Sequence, residues 1–550
     1  MSPAEPAPSP APPRAVRLAY ATILLLALAA SLSSLGNGFA YDDQHIIAEN
    51  PRVQSLAQPW HRFAEAYWPP EQGVSLYRPL TILGFAVQWA AGGGRPFIYH
   101  AVNVLLYLAG AGLLFAVARR LLPLAGAWIA AALWAVHPVH VEAVANGVGQ
   151  SELLVAVLVL IASLLYLRAR DEGRLTLGAG AAMAACYAAA CFVKEHAIML
   201  PALLAALELW GVRDSRPLRQ RIGEVRLFFL VLLLVGAAFL LLRTTVLGGL
   251  AGDKPPGWMS QVDPVHRWLT MLAMLPTIAG LLLWPAHLQA EYGPAEILPA
   301  TSVGLEQFAG ILVLVSVGVL AVVCRKRQPV VTLGLALAAF SFLPTSNLLI
   351  PTGIILSERT LLLPSVGICL ALGAGWELLP PLPSIRAVTA ALLLAGVAWS
   401  AWRQPVWRDN ATLFRQMTLD APYSYRAHWG YGSILYTTGD KPQGLIHLQI
   451  AARLYSSDPT MLEDVGGRLA DAGGCQYAEP LFRKALAVVP PPNDAWSVRT
   501  RLIFCLMDLN RFDEAAAEAR AGEKEIIMAT QFRGLARTAD SMAAAAGNKR

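Results

Sequence analysis

Residues 36–51 read GNGFAYDDQHIIAENP and directly follow an apolar run, Leu18 to Leu35, that is long enough to cross a bilayer. The stretch places two adjacent carboxylates, Asp42 and Asp43, just outside a membrane. A charged side chain near a region of low dielectric is energetically unfavourable, so it is usually solvated, ion-paired or part of a functional site. A carboxylate raises the pKa of an adjacent carboxyl group, which suits a general base that works near neutral pH. The structural alternative is an N-cap or a turn.

The composition indicates a membrane protein rather than a soluble globular one. Of the 550 residues, 56% are hydrophobic and 15% are charged, and the mean hydropathy is +0.49. The net charge of +6 is small for this length and is placed unevenly, which argues for membrane topology and against nucleic-acid binding. The six cysteines form no CxxC pair, so no zinc or redox motif is predicted. Cys475 and Cys505 could pair only in an oxidising compartment.

Alternating apolar segments and arginine-rich loops predict about eleven spans with a cytoplasmic N-terminus. Arginines 213–226 mark a cytoplasmic loop, from which Leu227–Leu247 spans outward, and the cluster Arg325–Arg327 marks a later cytoplasmic turn. An odd number of spans must therefore lie between Leu227–Leu247 and that turn, and Ser302–Val323 supplies one. The apolar segment Trp268 to Leu283 is then surplus, and because Pro276 breaks it we expect a re-entrant or interfacial helix. The predicted spans are Leu18–Leu35, Phe97–Val117, Leu121–Val136, Leu153–Leu167, Leu175–Val193, Ala197–Trp210, Leu227–Leu247, Ser302–Val323, Val330–Leu343, Leu361–Leu379 and Ile385–Trp402.

This pattern divides the chain into three parts. Residues 1–14 form a Pro/Ala-rich tail that we expect to be disordered. Residues 15–402 form the membrane-embedded domain, in which residues 37–96 are a long first external loop. Residues 403–550 form a soluble domain on the external side.

The external domain carries a helical repeat. GGRLADAGGCQYAEPLFRKALAVVP, residues 466–490, has the small residues and the closing proline of a tetratricopeptide repeat, namely Gly466, Ala478, Ala485 and Pro490. Gly444 lies one repeat of 34 residues before Ala478, and Ala515 occupies the following repeat. Small residues recur there because paired helices approach closely. The sequence therefore predicts an all-α architecture, a polytopic helical bundle followed by a tetratricopeptide-repeat α-solenoid.

Further polar residues on the external side are candidates for chemistry. His137, His140 and Glu142 suggest metal ligands, but Pro138 breaks the helical spacing that would make them converge, so no metal site is predicted and a polar loop lining a cavity is expected. The basic residues Arg78, Lys194, Arg267 and Arg359 stand beside apolar segments. Such cations suit a lipid-linked phosphate, although each of them can equally reach towards lipid headgroups.

The order of the motifs resembles a known family. YDDQHIIAENP, SLYRPLT, HPVHVEAVANGVGQSELL, FVKEHAI, PTSNLLIPTGIILSERTLLLPS and VWRDNATLF, followed by repeats, look like the transmembrane, tetratricopeptide-repeat-containing protein O-mannosyltransferases that modify cadherins in eukaryotes. The resemblance covers nearly the whole chain from residue 36 onward. It implies a GT-C fold, a catalytic acidic residue in the first external loop and a lipid-linked sugar donor, which is dolichyl-phosphate mannose in eukaryotes.

The resemblance also assigns residues. The acidic motif falls on Asp42 and Asp43, and the donor phosphate and sugar are expected at Arg78, His137, His140, Glu142, Lys194, Glu195, Glu358 and Arg359. The repeats would bind the acceptor polypeptide beside the acceptor site. The sequence leaves a requirement for a divalent metal open. It shows no phosphate-cradling glycine motif, in keeping with a donor that carries no nucleotide.

These observations predict an inverting glycosyltransferase that moves a hexose, such as mannose, from a polyprenyl-phosphate or dolichyl-phosphate carrier to a protein hydroxyl. The composition, rich in Ala, Gly, Pro and Arg, favours a bacterial inner-membrane protein with periplasmic repeats and an undecaprenyl carrier. The expected partners are membrane lipid, the lipid-phosphate sugar donor and an acceptor polypeptide, and no nucleic acid. The alternatives are an inactive membrane-anchored repeat scaffold and a lipid-linked-sugar transporter.

Overall fold

The computed structural model describes residues 12–69, 76–249, 259, 262–488, 495–523 and 529–547. Within these residues the regular secondary structure is helical, apart from an isolated antiparallel bridge between Tyr292 and Leu356. The chain forms two compact units: Met1–Tyr292 with Pro299–Leu413, and Gly293–Leu298 with Phe414–Arg550. Residues 1–11 of the tail that we expect to be disordered lie outside the described residues.

The first unit is a bundle of α-helices, several of which begin with a proline. A proline in the first turn of a helix costs no hydrogen bond, because the N–H groups of that turn have no partner inside the helix. The helices are α1 Pro13–Ser31, α2 Pro79–Gly92, α3 Pro96–Leu121, α4 Leu124–Ala135, α5 Val141–Ala145, α6 Gln150–Asp171, α7 Leu177–Val193, α8 Leu200–Ala206, α9 Leu218–Leu247, α10 Pro264–Leu283, α11 Leu305–Arg327, α12 Pro329–Phe342, α13 Leu362–Trp376 and α14 Pro383–Arg403.

Among the described residues, eight helical segments are long and apolar enough to cross a membrane, and a bent pair, Leu124–Ala135 with Pro138–Ala145, would make nine. Two of the predicted spans are shorter apolar helices, Leu177–Val193 and Pro329–Thr345. The predicted span Ala197 to Trp210 combines a 3-10 turn, α8 and a π-type turn. Only 11% of the most apolar stretch of α11 or of α14 is buried inside the protein, as expected of helices that face lipid. The predicted all-α polytopic bundle is confirmed.

The expectation that Pro276 breaks the segment Trp268 to Leu283 is wrong. The segment lies in α10, a continuous helix of 20 residues that is long and apolar enough to span. Pro276 has no N–H to donate to the carbonyl oxygen of Leu272. That oxygen instead lies against Gly310 of α11, so close that a Cβ at Gly310 would collide with it. The neighbouring helix therefore covers the carbonyl that the proline leaves without its helical partner.

Helix α13 is the most tightly packed part of the bundle. Gly367 faces Gly334 of α12, and Gly373 faces Gly126 of α4. At each pair a Cβ on either glycine would collide with the carbonyl oxygen of the other, so backbones touch directly. This is the small-residue packing that membrane helices use in place of a hydrophobic driving force. It fixes α13, and the predicted site residues Glu358 and Arg359 lie in the turn directly before that helix.

The second unit consists of paired helices, and the predicted solenoid is confirmed. Helix α15, Asn410–Asp420, begins in the first unit and continues into the second. Helices α16 to α22 are Tyr425–Thr438, Lys441–Leu454, Pro459–Asp471, Cys475–Val488, Ala495–Asp508, Phe512–Gly522 and Ala529–Gly547. Ala478, Ala485 and Ala515 are fully buried, and the backbones of α16 and α17 meet at Gly432 and Gly444. Pro490 lies outside the described residues. A disulfide joins Cys475 to Cys505, whose Cα atoms are 5.1 Å apart.

The boundary between the units falls after Leu413, whereas the composition predicts it at residue 403. The intervening residues pack on the first external loop. Gly38 N–H donates to Arg408 O at 2.8 Å, and Asn37 Nδ2 donates to Gln404 O at 3.1 Å.

We predict that Gly310→Val destabilises the bundle by about 1–3 kcal/mol, because the added side chain must push α11 away from the Leu272 carbonyl. Thermal unfolding in detergent measures the effect. Gly318→Val in the same helix is the matched control, since a Cβ there meets nothing within 4 Å. Equal melting temperatures for the two variants would contradict this packing.

Candidate active site

The first external loop is held between distant parts of the first unit. After α1, a 3-10 turn spans Leu32–Gly36, and the chain then runs to a short π-type turn at Gln44–Ala48. Asn37 Nδ2 donates to Ala145 O at 3.3 Å, at the end of α5. Asp42 and Asp43 lie at the start of this turn.

The two aspartates have different partners. Asp42 Oδ2 accepts hydrogen bonds from both terminal nitrogens of Arg359 at 3.1 Å. The Asp42 side chain is 19% exposed. Asp43 is 1% exposed, and its two oxygens accept the N–H groups of Gly147 and Val148 at 2.9 and 2.8 Å. Asp42 is therefore the carboxylate that a reacting group can reach, and Asp43 is part of the buried framework.

Asp43 caps the chain segment that leads into α6. Gly147 and Val148 belong to a 3-10 turn that continues into α6, so their N–H groups have no partner inside a helix. Burial raises the pKa of Asp43 to about 7, although the two N–H donors favour its ionised form. A carboxylate that occupies a helix start in this way fixes the loop to the bundle.

Arg359 connects Asp42 to Glu142 of α5. Arg359 Nε lies 3.4 Å from Glu142 Oε1, and the Arg359 N–H donates to Glu142 Oε2 at 2.9 Å. Ser357 Oγ donates to the same carboxylate at 2.8 Å. The guanidinium is thus held in one orientation by two carboxylates, one on the loop after α1 and one on α5.

Lys194 stands at the end of α7, beside the buried Glu152 of α6. Its Nζ lies 2.5 Å from Glu152 Oε1, and His196 Nε2 lies 3.4 Å from the other carboxylate oxygen. Burial lowers the pKa of Lys194 to about 8. The positive charges of Arg78 and Arg359 lower this pKa further, whereas the negative charge of Glu152 raises it. Lys194 therefore loses its charge only just above neutral pH.

Arg78 forms a third ion pair in the same charged region. Its Nε donates to Glu195 Oε2 at 2.9 Å, and its guanidinium lies over the ring of Tyr67, 5.0 Å from the ring centre. Burial raises the pKa of Tyr67, whose phenol is also within the field of Asp42 and Arg359. The charges of Arg78, Lys194, Arg359 and Asp42 therefore act on one another across a single site.

Three predicted residues make their hydrogen bonds outside this charged region, although the charge of Glu142 still acts on Glu358. His137 Nε2 lies 3.1 Å from Leu282 O. His140 contacts the hydroxyls of Tyr107 and Ser365 at 3.0 and 2.8 Å, which is a buried structural arrangement. Glu358 Oε1 accepts the Gln289 N–H at 2.6 Å and the Tyr292 hydroxyl at 3.0 Å. In addition, Arg267 Nε donates to Asn347 O at 2.9 Å.

The sequence interpretation missed four residues that the structure adds to the site: Glu152, Ser357, Tyr67 and Arg243. Glu152 and Ser357 lie within motifs that the sequence analysis quotes, but motif position does not reveal a charge partner. Arg243 acts electrostatically on Glu195 and Arg78 from α9. A charged residue inside an otherwise apolar segment was the available signal for Arg243.

The charged region is built from the ends of several helices. It combines the loop after α1, the start of α2, the start of α6, the end of α7 and the turn before α13. Helix ends that meet in this way can surround a small anionic group with cations from separate elements. Among the described residues, no group of three or more His, Cys, Asp and Glu side chains could hold a metal ion.

Comparisons with known proteins confirm the resemblance that the motifs indicate. The chain is 27% identical to Protein O-mannosyl-transferase TMTC1 of Homo sapiens over 495 residues, covering 79% of this chain and 54% of that protein. It is 26% identical to Protein O-mannosyl-transferase Tmtc3 of Drosophila melanogaster, covering 88% and 60% of the two chains. The chain thus spans little more than half the length of these two relatives. No protein-family model matches it.

Among solved structures, the chain is similar to ArnT from Cupriavidus metallidurans bound to undecaprenyl phosphate. The TM-score is 0.39 and the sequence identity is 15%, over 90% of this chain and 85% of ArnT.

We predict that Asp43→Ala lowers the unfolding free energy by about 1–3 kcal/mol, because it leaves the Gly147 N–H buried without its acceptor and leaves the Val148 N–H with only the longer bond to Asn146 Oδ1. Asp42→Ala should lower the unfolding free energy by less, because Arg359 retains its ion pair with Glu142 and the Asp42 side chain is partly exposed. Thermal unfolding of the two variants in the same detergent checks this order. The assignment of Asp43 to the framework would be refuted if Asp42→Ala were the more destabilising.

Proposed function

We propose that this chain is an inverting glycosyltransferase that moves a sugar from a polyprenyl-phosphate carrier to a hydroxyl group of a protein. The observation that carries the proposal is the reachable carboxylate of Asp42, held by Arg359 within one charged site that also contains Lys194 and Arg78. The similarity to O-mannosyl-transferases supports the same reaction class.

Asp42 is the general base. It takes the proton of the acceptor hydroxyl while that oxygen forms a bond to the anomeric carbon of the sugar. The bond between the anomeric carbon and the phosphate oxygen breaks, and its electron pair leaves with the lipid phosphate. Because attack comes from the face opposite the phosphate, the anomeric configuration is inverted.

Lys194 and Arg78 stabilise the charge that develops on the leaving phosphate. Each cation is held by a carboxylate from another element, Glu152 and Glu195 respectively, so its position is fixed before the donor arrives. Stabilisation by pre-positioned charges in a site with little water is commonly a large part of the rate enhancement. Glu142 holds the Arg359 guanidinium in place, and Arg359 in turn orients the Asp42 carboxylate.

Four other predicted residues keep the framework of this site in place. Asp43 holds the catalytic loop on α6. His137 and His140 anchor the turn between α4 and α5, and Glu358 holds the segment that follows α10. Their role in the proposal is positioning rather than contact with the donor.

The donor is a polyprenyl-phosphate hexose such as the mannose derivative, with undecaprenyl phosphate as the carrier in a bacterial inner membrane. The acceptor is a Ser- or Thr-containing polypeptide that binds to the helical repeats. The site and the repeats face the periplasm. The pattern of cytoplasmic arginines supports this orientation, and so does the Cys475–Cys505 disulfide, since disulfides persist in oxidising compartments.

We predict that Asp42→Asn abolishes sugar transfer while donor binding persists. The purified protein in liposomes is given polyprenyl-phosphate mannose and a Ser/Thr-containing peptide, and glycopeptide is measured by mass spectrometry. Loss of the base should lower turnover by roughly two to four orders of magnitude, because the amide cannot accept the proton. Asp409→Asn, at an exposed helix start, is the matched control.

The other outcomes of this experiment separate the alternatives. If the wild type binds the donor but transfers nothing to a broad panel of acceptors, the glycosyltransferase proposal fails. Movement of the intact donor across the liposome membrane, without transfer, would favour a transporter. Absence of donor binding together with normal function of Asp42→Asn in cells would favour the repeat scaffold.

We predict that donor binding weakens as the pH rises above about 8, because Lys194 then loses the charge that holds the phosphate. The loss should approach tenfold per pH unit. Lys194→Arg should remove this dependence, since a guanidinium remains charged. Equilibrium binding of the donor between pH 7 and about 9.5 measures the effect, with Lys326→Arg as a control far along the chain. The same slope in wild type and Lys194→Arg would count against Lys194 as the phosphate ligand.

A further inference from the structure

Tyr41, the residue before Asp42, has a left-handed backbone conformation with a φ of 56°. For a residue with a Cβ this conformation is unfavourable, and it persists only where surrounding contacts impose it. The Tyr41 N–H donates to Asn410 Oδ1 at 2.7 Å, and its phenol hydroxyl donates to Glu291 Oε2 at 3.0 Å. The backbone and the side chain of Tyr41 are therefore held by two distant parts of the chain.

The conformation of Tyr41 sets the direction of the turn that carries Asp42. The Tyr41 carbonyl accepts the Gln44 N–H at 3.2 Å, so this turn begins at Tyr41. A rotation of the Tyr41 backbone would turn the carboxylate of Asp42 away from Arg359. Such a rotation would matter, because a shift of about 1 Å in a catalytic group can cost a hundredfold in rate.

Glu291 belongs to residues 284–292, the segment that directly follows α10 in the first unit. It is 8% exposed. The next residue, Tyr292, forms the isolated bridge with Leu356 and donates its hydroxyl to Glu358 at 3.0 Å. The segment thus contacts Tyr41, which precedes Asp42, and Glu358, which precedes Arg359. The segment therefore holds in place the residue that precedes each member of the Asp42–Arg359 ion pair.

We infer that the Tyr41–Glu291 hydrogen bond is a positioning contact that orients the Asp42 carboxylate for proton transfer. This inference rests on the proposed function. Tyr41 and Glu291 act through Asp42 and do not touch the reacting atoms. Their loss therefore lowers the rate of the chemical step and leaves donor binding intact.

The test compares single and double variants of this pair in the liposome transfer assay. Tyr41→Phe and Glu291→Ala each lower kcat roughly ten- to a hundredfold, while the KM for the donor changes by less than about twofold. Glu291→Gln retains most of the rate, because its amide oxygen accepts the same hydrogen bond. The double variant Tyr41→Phe with Glu291→Ala is no slower than Glu291→Ala alone, because that single variant has already removed the hydrogen bond between the two side chains.

The matched control is Tyr425→Phe, which removes a phenol hydroxyl that donates to Asp458 at 3.0 Å in the second unit. It leaves kcat unchanged. A second readout is independent of turnover: hydrogen exchange of the peptide covering residues 42–50 rises in Tyr41→Phe and not in Tyr425→Phe.

The two readouts keep this inference separate from the proposed function. If the wild type transfers no sugar, the glycosyltransferase proposal fails, and the exchange measurement alone decides whether Tyr41 holds the turn. If the wild type is active, the inference is overturned by Tyr41→Phe with normal kcat and normal exchange. It is equally overturned if Glu291→Gln is as slow as Glu291→Ala, or if the loss appears in the donor KM.

Discussion

The structure of the candidate site depends on two hydrogen bonds that backbone N–H groups donate to the buried carboxylate of Asp43. Those groups, on Gly147 and Val148, lie just before α6 and more than a hundred residues away in sequence. The contact converts a loop between two membrane helices into a fixed part of the bundle. The Asp42–Arg359 ion pair is carried by that fixed loop. Asp42 reaches Arg359 only because its neighbour is anchored in the opposite direction.

The cations of the site are already paired before any substrate is present. Lys194 with Glu152, Arg78 with Glu195, and Arg359 with Asp42 and Glu142 each join different helices. Pairing lowers the cost of holding these charges near the membrane and fixes their positions. Under the proposed function, the donor phosphate would meet cations whose orientation is already fixed by their carboxylate partners.

Much of this arrangement could be predicted from the sequence, and the part that could not has a physical reason. Hydropathy and arginine placement identify most of the long helices, because both report local transfer free energies. The prediction that Pro276 breaks a helix was wrong because a neighbouring helix can cover the carbonyl that a proline leaves without its partner. Gly310 of α11 covers the Leu272 carbonyl in this way. The adjacency of Asp42 and Asp43 indicated their importance, but not which one is buried, because that depends on Gly147. Glu152 and Arg243 were hidden for the same reason: a charge partner is chosen by the fold and not by spacing along the chain.

The glycine pairs of α13 have a mechanical consequence. Helices α4, α12 and α13 are in contact through their backbones at Gly126, Gly334, Gly367 and Gly373, and backbones cannot yield by changing a rotamer. These three helices therefore behave as one stiff body, and the residues before α13, including Arg359, inherit that stiffness. Helices α11 and α14 bury little of their most apolar surface, so their neighbours are lipid chains that flow. Under the proposed function, the polyprenyl tail of the donor is another such chain, and it would contact this apolar surface as a membrane lipid does.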